Sequence, residues 1–402
     1  MSALPEPDRG APGEGANVIP FRQKVAIFLT GFAAFLPLYA PQAVLPDMAA
    51  TLGVSPTAAG SVIGATTLAV ALAAPAAGPL VDRFGRKFAM VTAILLLAPL
   101  TLLLSFCTGL SDILVVRFLQ GVALPALFAG IVAYVTERWQ GHTAAVGMGV
   151  YVSGGVIGGF AGRFLAGSSA ELLGWQGAFA VLAVVSAGCA PVVWRWLPAD
   201  AARRGGGLMT HIATMANHLR NVRIRAACVL GATVLFALNG TLSYIGFRLA
   251  GPPFDLSPAG IGLVFCVYPI GSAIVPLNGR LLRRFGFRGA ALVALAVCAV
   301  GQATLLVPQL AVTIVGVCIF VTGIFLCQSL ALGYVGRAAA TGKGAAAGLY
   351  VCCFYAGGSL GAVAPGLAWG SAGWTGCVLL VCAALTLGAA ASRFMDDGGT
   401  RA

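Results

Sequence analysis

The chain has 402 residues, of which 59% are hydrophobic and only 9% are charged, and its formal net charge is +12. This composition excludes a set of soluble domains, because a soluble core needs far less apolar sequence, and it makes the lipid bilayer the expected solvent. The excess of Lys and Arg does not indicate a nucleic-acid partner, because these residues fall mainly between apolar stretches and on one side of them.

Apolar stretches of about 20 residues, long enough to cross about 30 Å of hydrocarbon, recur along the whole chain. Twelve such stretches predict an all-α membrane protein with twelve transmembrane helices. The first is too long for a signal peptide and follows a polar tail. The predicted spans are 22–45, 56–79, 87–108, 112–134, 143–166, 175–196, 224–249, 257–279, 288–307, 310–334, 343–366 and 371–391.

The composition changes at three places outside the spans. Residues 1–21 are rich in Pro and Gly and predict a disordered cytoplasmic tail. Residues 393–402 predict a short cytoplasmic tail at the other end of the chain. Between the spans of 22–197 and those of 224–392, residues 198–223 predict a cytoplasmic linker. Leu208, Ile212, Met215 and Leu219 recur there at helical spacing, which fits an amphipathic helix on the membrane surface or a mobile linker with incidental periodicity.

Charge asymmetry predicts the orientation of the chain. With both termini in the cytoplasm, nearly all Lys and Arg residues lie on the cytoplasmic side, and only Arg117, Arg163 and Arg248 fall toward the other side. This is the positive-inside pattern of a multi-pass membrane protein with both termini in the cytoplasm.

Two halves of the sequence repeat one another. The charged turn at 78–87 returns at 279–288, Ser55-Pro56 returns as Ser257-Pro258, and a glycine pattern at 149–162 returns at 348–361. The offsets stay between 199 and 202 residues, about half of the chain. The repeat predicts two pseudo-symmetric six-helix bundles.

The first charged turn joins the second and third predicted spans. Its glycines reverse the chain and its basic residues keep it out of the hydrocarbon, but Asp82 runs against the positive-inside pattern. A carboxylate there fits a polar latch that caps a helix or pairs with arginines, although a simple topogenic loop also fits. The turn includes Gly78, Leu80, Asp82, Arg83, Gly85, Arg86 and Lys87 among its ten residues.

This turn resembles the signature loop of the major facilitator superfamily. The resemblance implies the fold of that family, a secondary transporter, and a cytoplasmic gate controlled by the loop. The second copy carries Arg283 where the first has Asp82, so we expect Asp82 to matter for switching and Arg283 to tolerate change.

The fourth span carries Leu114, Arg117, Gln120 and Gly121 at the spacing of the family's second motif. In the family such an arginine is associated with proton coupling or substrate binding. It also fits snorkelling to the outer interface. Asp47, at the outer end of the first span, is the nearest candidate partner for Arg117 and fits equally well as an interfacial carboxylate.

The fifth span resembles the family's antiporter motif but departs from it. Small residues at this spacing allow close approach of two helix backbones, which suits either a rocking interface or plain packing. Arg163 stands where the motif has proline, which weakens the inference of antiport. The residues are Gly149, Gly158, Gly159, Gly162 and Arg163.

Polar groups near mid-membrane are the expected substrate contacts, because the resembling fold binds its solute between the two halves. The candidates are mostly neutral and aromatic, which suits an uncharged or amphipathic solute. They are Tyr39, Gln42, Tyr151, Asn239, Tyr244, Tyr268, Gln328, Tyr350 and Tyr355.

No sequence pattern indicates an enzyme, a metal site or a cofactor: the three His residues do not cluster, and no phosphate-binding glycine loop is present. Taken together, these features predict a monomeric transporter that exports a small organic solute. The resemblance to the bacterial drug and sugar efflux branch implies that export is driven by proton antiport. An uncoupled facilitator or importer, and a membrane sensor that does not transport, are the alternatives.

Overall fold

A computed structural model describes residues 18–200 and 207–395 of the chain. The predicted disorder before residue 18, the basic hinge around Arg203 and the end of the C-terminal tail lie outside these residues. Within them the chain forms helices and turns, with no strand. The helices are α1 Phe21–Tyr39, α2 Leu45–Leu52, α3 Pro56–Phe84, α4 Arg86–Leu103, α5 Leu110–Arg138, α6 Gly141–Trp196, α7 Leu208–His218, α8 Val222–Ala250, α9 Pro258–Val264, α10 Val267–Ala273, α11 Asn278–Thr304, α12 Leu310–Ala338 and α13 Lys343–Ser392.

Nine helical runs in the described residues are long and apolar enough to cross a membrane. Three of them contain 56, 47 and 50 residues, about twice the length that one crossing needs. Each of the three is interrupted by one glycine with non-helical backbone angles, at Gly174, Gly286 and Gly373. Counted as two crossings each, they bring the total to the twelve that the sequence predicts.

The backbone repeats in the same places as the sequence. Six glycines with positive φ fall into three pairs that are 199 or 201 residues apart, and each pair lies at an end of, or at a break in, equivalent helices. Ser55 and Ser257 also cap equivalent helices, because their Oγ atoms accept hydrogen bonds from the N–H groups of Ala58 at 3.2 Å and Gly260 at 3.3 Å. The glycine pairs are Gly85 with Gly286, Gly141 with Gly342, and Gly174 with Gly373.

The predicted span at 257–279 is wrong as a single continuous helix. The chain there forms α9, α10 and a 3-10 turn at Val275–Leu277. Pro269 lacks the N–H that would bond to the carbonyl of Phe265, and that carbonyl accepts from Tyr268 at 3.0 Å instead. The first predicted span also ends early, because a 3-10 turn at Ala40–Ala43 follows α1 and places Asp47 on the separate helix α2.

The helix bundle has two ends, which we call the motif face and the opposite face. The motif face is the end that carries the turn at Gly85, its repeat at Gly286, and helix α7; the opposite face carries Ser55, Ser257 and α2. Helix α7 packs through Met215, which is 5% exposed, and His218 Nε2 lies 3.3 Å from the carbonyl of Gly342. Leu208, Ile212 and Leu219 are 40–46% exposed on the same helix.

The two halves meet closely at the opposite face. Ser359 donates a hydrogen bond to the carbonyl of Gly64 at 3.0 Å, and Ser257 donates to Glu171 at 3.2 Å. A methyl group at Gly60 would overlap the carbonyl of Ala362, so α3 and α13 approach backbone to backbone. These contacts join the two halves at the opposite face.

Candidate functional site

The charged turn of the motif face is held by carboxylates that the sequence did not single out. Arg86 Nη2 lies 2.5 Å from Glu137 and Nη1 lies 3.2 Å from Asp200, whereas Asp82 is 3.7 Å away. Asp200 also accepts from the N–H groups of Arg86 and Lys87, both at 3.2 Å. Asp200 therefore caps α4, and Asp82 contributes the weakest contact to the cluster.

The repeat of this turn has a different environment. Arg283 is exposed and forms no ion pair within the described residues. Lys87 of the first copy stacks its ammonium group 4.8 Å from the ring centroid of Trp194. The two turns thus differ in partners as well as in sequence, because all the charged partners belong to the first half.

Arg117 is fully buried and, together with Gln120, links four helices of the first half. Its guanidinium donates to the carbonyls of Val62 at 3.1 Å, Pro37 at 2.8 Å and Leu38 at 2.6 Å, and to Gln120 Oε1 at 2.8 Å. Gln120 in turn donates to Thr101 at 2.9 Å, and a methyl group at Gly121 would overlap the carbonyl of Thr66. These residues form a packing joint rather than the wall of a cavity.

The structure does not support the pairing of Asp47 with Arg117. No carboxylate of the described residues forms an ion pair with Arg117, whose hydrogen bonds go to carbonyl oxygens. Asp47 lies in the first turn of α2, where burial raises the pKa of its carboxyl above the usual range. The sequence placed Asp47 at the outer end of the first span, but the chain turns away from α1 before it reaches Asp47.

The glycines of the fifth crossing pack within one half. Methyl groups at Gly154, Gly158 and Gly162 would overlap the carbonyls of Phe28, Phe32 and Leu36, so this face of α6 lies against the backbone of α1. A methyl group at Gly149 would meet no atom within 4 Å, and one at Gly159 would face Arg163 and Tyr268. Only part of the predicted set therefore acts in helix packing.

Arg163 lies where the two halves meet and is fully buried. Its Nε and Nη2 donate to Gln42 Oε1 at 2.9 and 2.6 Å, and Nη1 donates to the carbonyl of Gly159 at 2.7 Å. Gln42 Nε2 donates across the interface to Ser243 of α8 at 3.2 Å. Arg163 and Gln42 thus form a polar network between the first and second halves.

Aromatic rings from both halves surround this arginine. The guanidinium carbon lies 4.9 Å from the ring centroid of Tyr39, 5.0 Å from that of Phe265 and 4.8 Å from that of Tyr268. Phe265 and Tyr268 flank the break between α9 and α10, as discontinuous helices do at transporter sites. We call the set of Tyr39, Gln42, Arg163, Phe265 and Tyr268 the arginine cage.

A ladder of stacked rings continues from the cage along the interface. Phe35 stacks on Tyr39 at 6.3 Å and on Phe128 at 5.4 Å, and Phe128 stacks on Tyr355 of the other half at 5.8 Å. Tyr355 also lies within electrostatic range of Tyr39, Tyr151, Tyr268 and Tyr350. Most of the tyrosines that the sequence selects as cavity candidates therefore gather in one region.

Three of the cavity candidates lie outside this region or make structural contacts. Tyr244 donates to the carbonyl of Ala362 at 2.8 Å in the joint of the opposite face. Asn239 donates to the carbonyl of Gly358 at 2.9 Å within the second half. Gln328 on α12 is half-buried and has no hydrogen-bond partner within the described residues.

The comparisons with known proteins agree with this architecture. The model of the Major Facilitator Superfamily matches residues 27–362, most of the chain. The chain belongs to the major facilitator superfamily. As in that family, it is a multi-pass membrane transporter of small solutes and not an enzyme.

Two bacterial relatives match along nearly their whole length. The uncharacterized MFS-type transporter YybF of Bacillus subtilis (strain 168) is 30% identical over 358 residues, which cover 89% of each chain. The inner membrane transport protein YnfM of Escherichia coli (strain K12) is 30% identical over 357 residues, 88% of this chain and 86% of that protein.

A solved structure shows the same fold at low sequence identity. A point mutant of the nucleoside transporter NupG superposes with a TM-score of 0.75 at 15% identity, and the match covers 92% of this chain and 99% of that one. The fold of a superfamily transporter thus frames the arginine cage.

Proposed function

We propose that this protein is a secondary active transporter that exports a small organic solute by alternating access. The observation that carries the proposal is the arginine cage, to which both halves contribute side chains at their interface. A site shared by two halves is accessible from one side at a time when the halves rock about it. The joint at the opposite face would then open as the motif face closes.

We place the motif face in the cytoplasm of a bacterium and the transporter in its inner membrane. The distribution of Lys and Arg supports this orientation, and the printed name of the relative YnfM supports the membrane. In this orientation the halves are joined on the outer side, so the structure represents a state closed toward the outside. The protein acts as a monomer in this proposal.

We propose proton antiport as the energy source. The signature turn and the glycine run of α6 support it by their resemblance to the efflux branch, and the glycines at 158 and 162 retain their close packing. One observation favours an uncoupled facilitator or importer instead. Every Asp and Glu of the described residues lies near a helix end or in a connection, so none provides a mid-membrane proton site.

Flux in proteoliposomes tests both versions. The purified protein is reconstituted and screened against radiolabelled drugs, sugars, amino acids and organic acids, with and without an imposed pH gradient. A proton antiporter accumulates its solute against a gradient only when the pH gradient is present. Equilibration that is independent of the pH gradient would contradict antiport, and the absence of flux for every solute would contradict transport.

A further inference from the structure

Arg163 carries a buried positive charge without a negative partner. No carboxylate of the described residues forms an ion pair with it, and its side chain is fully buried. An uncompensated charge in the membrane interior costs several kcal/mol, even after neutral hydrogen bonds are made. An anion bound beside the guanidinium would lower the free energy of this site.

Arg117, the other fully buried arginine of the first half, shows how a buried guanidinium is stabilised when its role is structural. Arg117 donates four hydrogen bonds, all to oxygens of its own half, and no aromatic ring among the described residues lies over its guanidinium. Arg163 donates three hydrogen bonds to Gln42 and Gly159, two of which share the single atom Gln42 Oε1, and the Tyr268 side chain is a further polar partner. One neutral amide oxygen therefore serves a whole edge of the Arg163 guanidinium, whereas each hydrogen bond of Arg117 has its own oxygen, although both arginines are equally buried.

The shared contact lies on the edge of the guanidinium that binds carboxylates. Nε and Nη2 point the same way, and a carboxylate accepts from both through two parallel hydrogen bonds. The neutral amide oxygen of Gln42 occupies this position at 2.9 and 2.6 Å. A charged oxygen pair would make a stronger contact there than the amide does.

The walls next to this edge are flat and apolar, with unused hydroxyl groups. Tyr39, Phe265 and Tyr268 lie over the guanidinium, and Phe35 and Phe128 extend the stacked surface. The hydroxyls of Tyr39, Tyr151 and Tyr355 make no hydrogen bond within the described residues. Such walls suit a planar apolar body with polar substituents.

We infer that the arginine cage binds a small organic anion with a planar apolar body, whose anionic group displaces Gln42 Oε1 from the Nε and Nη2 edge of Arg163. This inference rests on the proposed transport function, since it names the class of solute. It narrows the expectation of an uncharged or amphipathic solute to an amphipathic anion.

Displacement of Gln42 also affects the contacts between the two halves. The same side chain donates to Ser243 across the interface at 3.2 Å, and the carbonyl of Gln42 lies against Gly246 of α8. When an anion takes the arginine, Gln42 loses the contact that orients it toward Ser243. Anion binding thereby weakens the joint at the opposite face, and it couples occupancy to opening.

Binding measurements with charged and neutral analogues test the inference. The full-length protein in nanodiscs is titrated with benzoate, cinnamate and hexanoate and with their amides, and binding is followed by calorimetry and by the midpoint of thermal unfolding. We expect the aromatic carboxylates to bind at least about tenfold more tightly than their amides, because a hydrogen-bonded ion pair is replaced by a neutral contact. Hexanoate, without a planar body, binds more weakly than benzoate.

Two variants locate the binding to the cage, and a third serves as the control. Arg163→Gln loses the preference for carboxylates. Gln42→Glu places a carboxylate of the protein on the arginine, so it raises the midpoint of unfolding and abolishes benzoate binding. Arg248→Gln removes a half-buried arginine near the opposite face, away from the cage, and retains benzoate binding.

The outcomes separate this inference from the transport proposal. Equal affinity for carboxylates and amides, no binding of any carboxylate, or benzoate binding by Arg163→Gln as tight as by the wild type would each overturn the anion inference. Flux of a neutral solute through a protein that binds no carboxylate would overturn it and leave transport standing. Benzoate binding at Arg163 without flux of any solute would leave the anion site and overturn transport.

Discussion

Asp200 accepts hydrogen bonds from the N–H groups of Arg86 and Lys87 and lies 3.2 Å from the Arg86 guanidinium, so one carboxylate both caps α4 and pairs with the arginine of the signature turn. Asp200 and Arg86 are 114 positions apart in the chain. The connection after the sixth crossing therefore holds the turn between the second and third crossings.

Asp200→Ala should destabilise the first half more than Asp82→Ala does. Loss of a helix cap costs about 0.5–2 kcal/mol, and the buried Arg86 loses one ion partner as well. Asp82 is 3.7 Å from Arg86 and its side chain is 38% exposed, so its loss should cost less than about 1 kcal/mol. Thermal unfolding of the two purified variants measures the difference; a larger effect of Asp82→Ala would show that the ranking is wrong.

Asp82 should matter for switching even though it contributes little to this state. Its loose contact with Arg86 leaves it free to take another partner when the motif face closes, whereas Arg283 at the equivalent position has no ionic partner within the described residues. We expect Asp82→Asn to reduce solute flux at least about tenfold at wild-type expression, and Arg283→Ala to stay within about twofold. Equal defects in proteoliposome flux would contradict this asymmetry of the two halves.

The effect of a glycine substitution in α6 on stability should depend on the face of the helix that the glycine occupies. Gly158→Ala forces a methyl group against the carbonyl of Phe32 and should destabilise the protein by about 1–3 kcal/mol. Gly149→Ala adds a methyl group in open space on the same helix, and the higher helix propensity of Ala should make it neutral or stabilising by up to about 1 kcal/mol. Comparable losses of thermal stability in both variants would show that the packing does not distinguish them.

Arg117 should behave as a stabilising residue and not as a substrate contact. Arg117→Met leaves the carbonyls of Pro37 and Leu38 without this donor, at a cost of about 1–3 kcal/mol for each buried acceptor that stays unpaired. We expect a lower midpoint of unfolding, and an unchanged solute preference in the fraction that folds. A changed solute preference together with an unchanged midpoint of unfolding would show that Arg117 contacts the substrate.

Much of the fold was accessible from the sequence because its causes are local. Apolar length predicts each crossing, Ser followed by Pro predicts a helix start, and the repeated turn predicts the second half. The break of the eighth crossing was missed although Pro269 and Pro276 signal it, because the apolar stretch continues unchanged through them.

The partners of charged residues were much less accessible. Arg86 meets Glu137 and Asp200 from 51 and 114 residues away, and no local pattern marks those carboxylates. In the sequence, Arg163 stands out only as a departure from a glycine motif and as one of three arginines away from the cytoplasmic side. Its role in the cage depends on rings from the other half, whose approach is set by the tertiary packing of α6 against α9 and α10.

A reversible cross-link across the opposite face tests alternating access most directly. A Cβ atom at Gly64 would lie 3.7 Å from that of Ala362 in the other half, which is suitable for a disulfide, and one at Gly388 would lie 3.6 Å from that of Thr233 in the same half. The variants Gly64→Cys with Ala362→Cys, and Gly388→Cys with Thr233→Cys as the control, are oxidised in proteoliposomes, and bond formation is verified by mass spectrometry. Solute flux should stop in the first variant, return on reduction, and persist in the control; flux that continues with the halves linked would contradict the rocking of the two halves about the arginine cage.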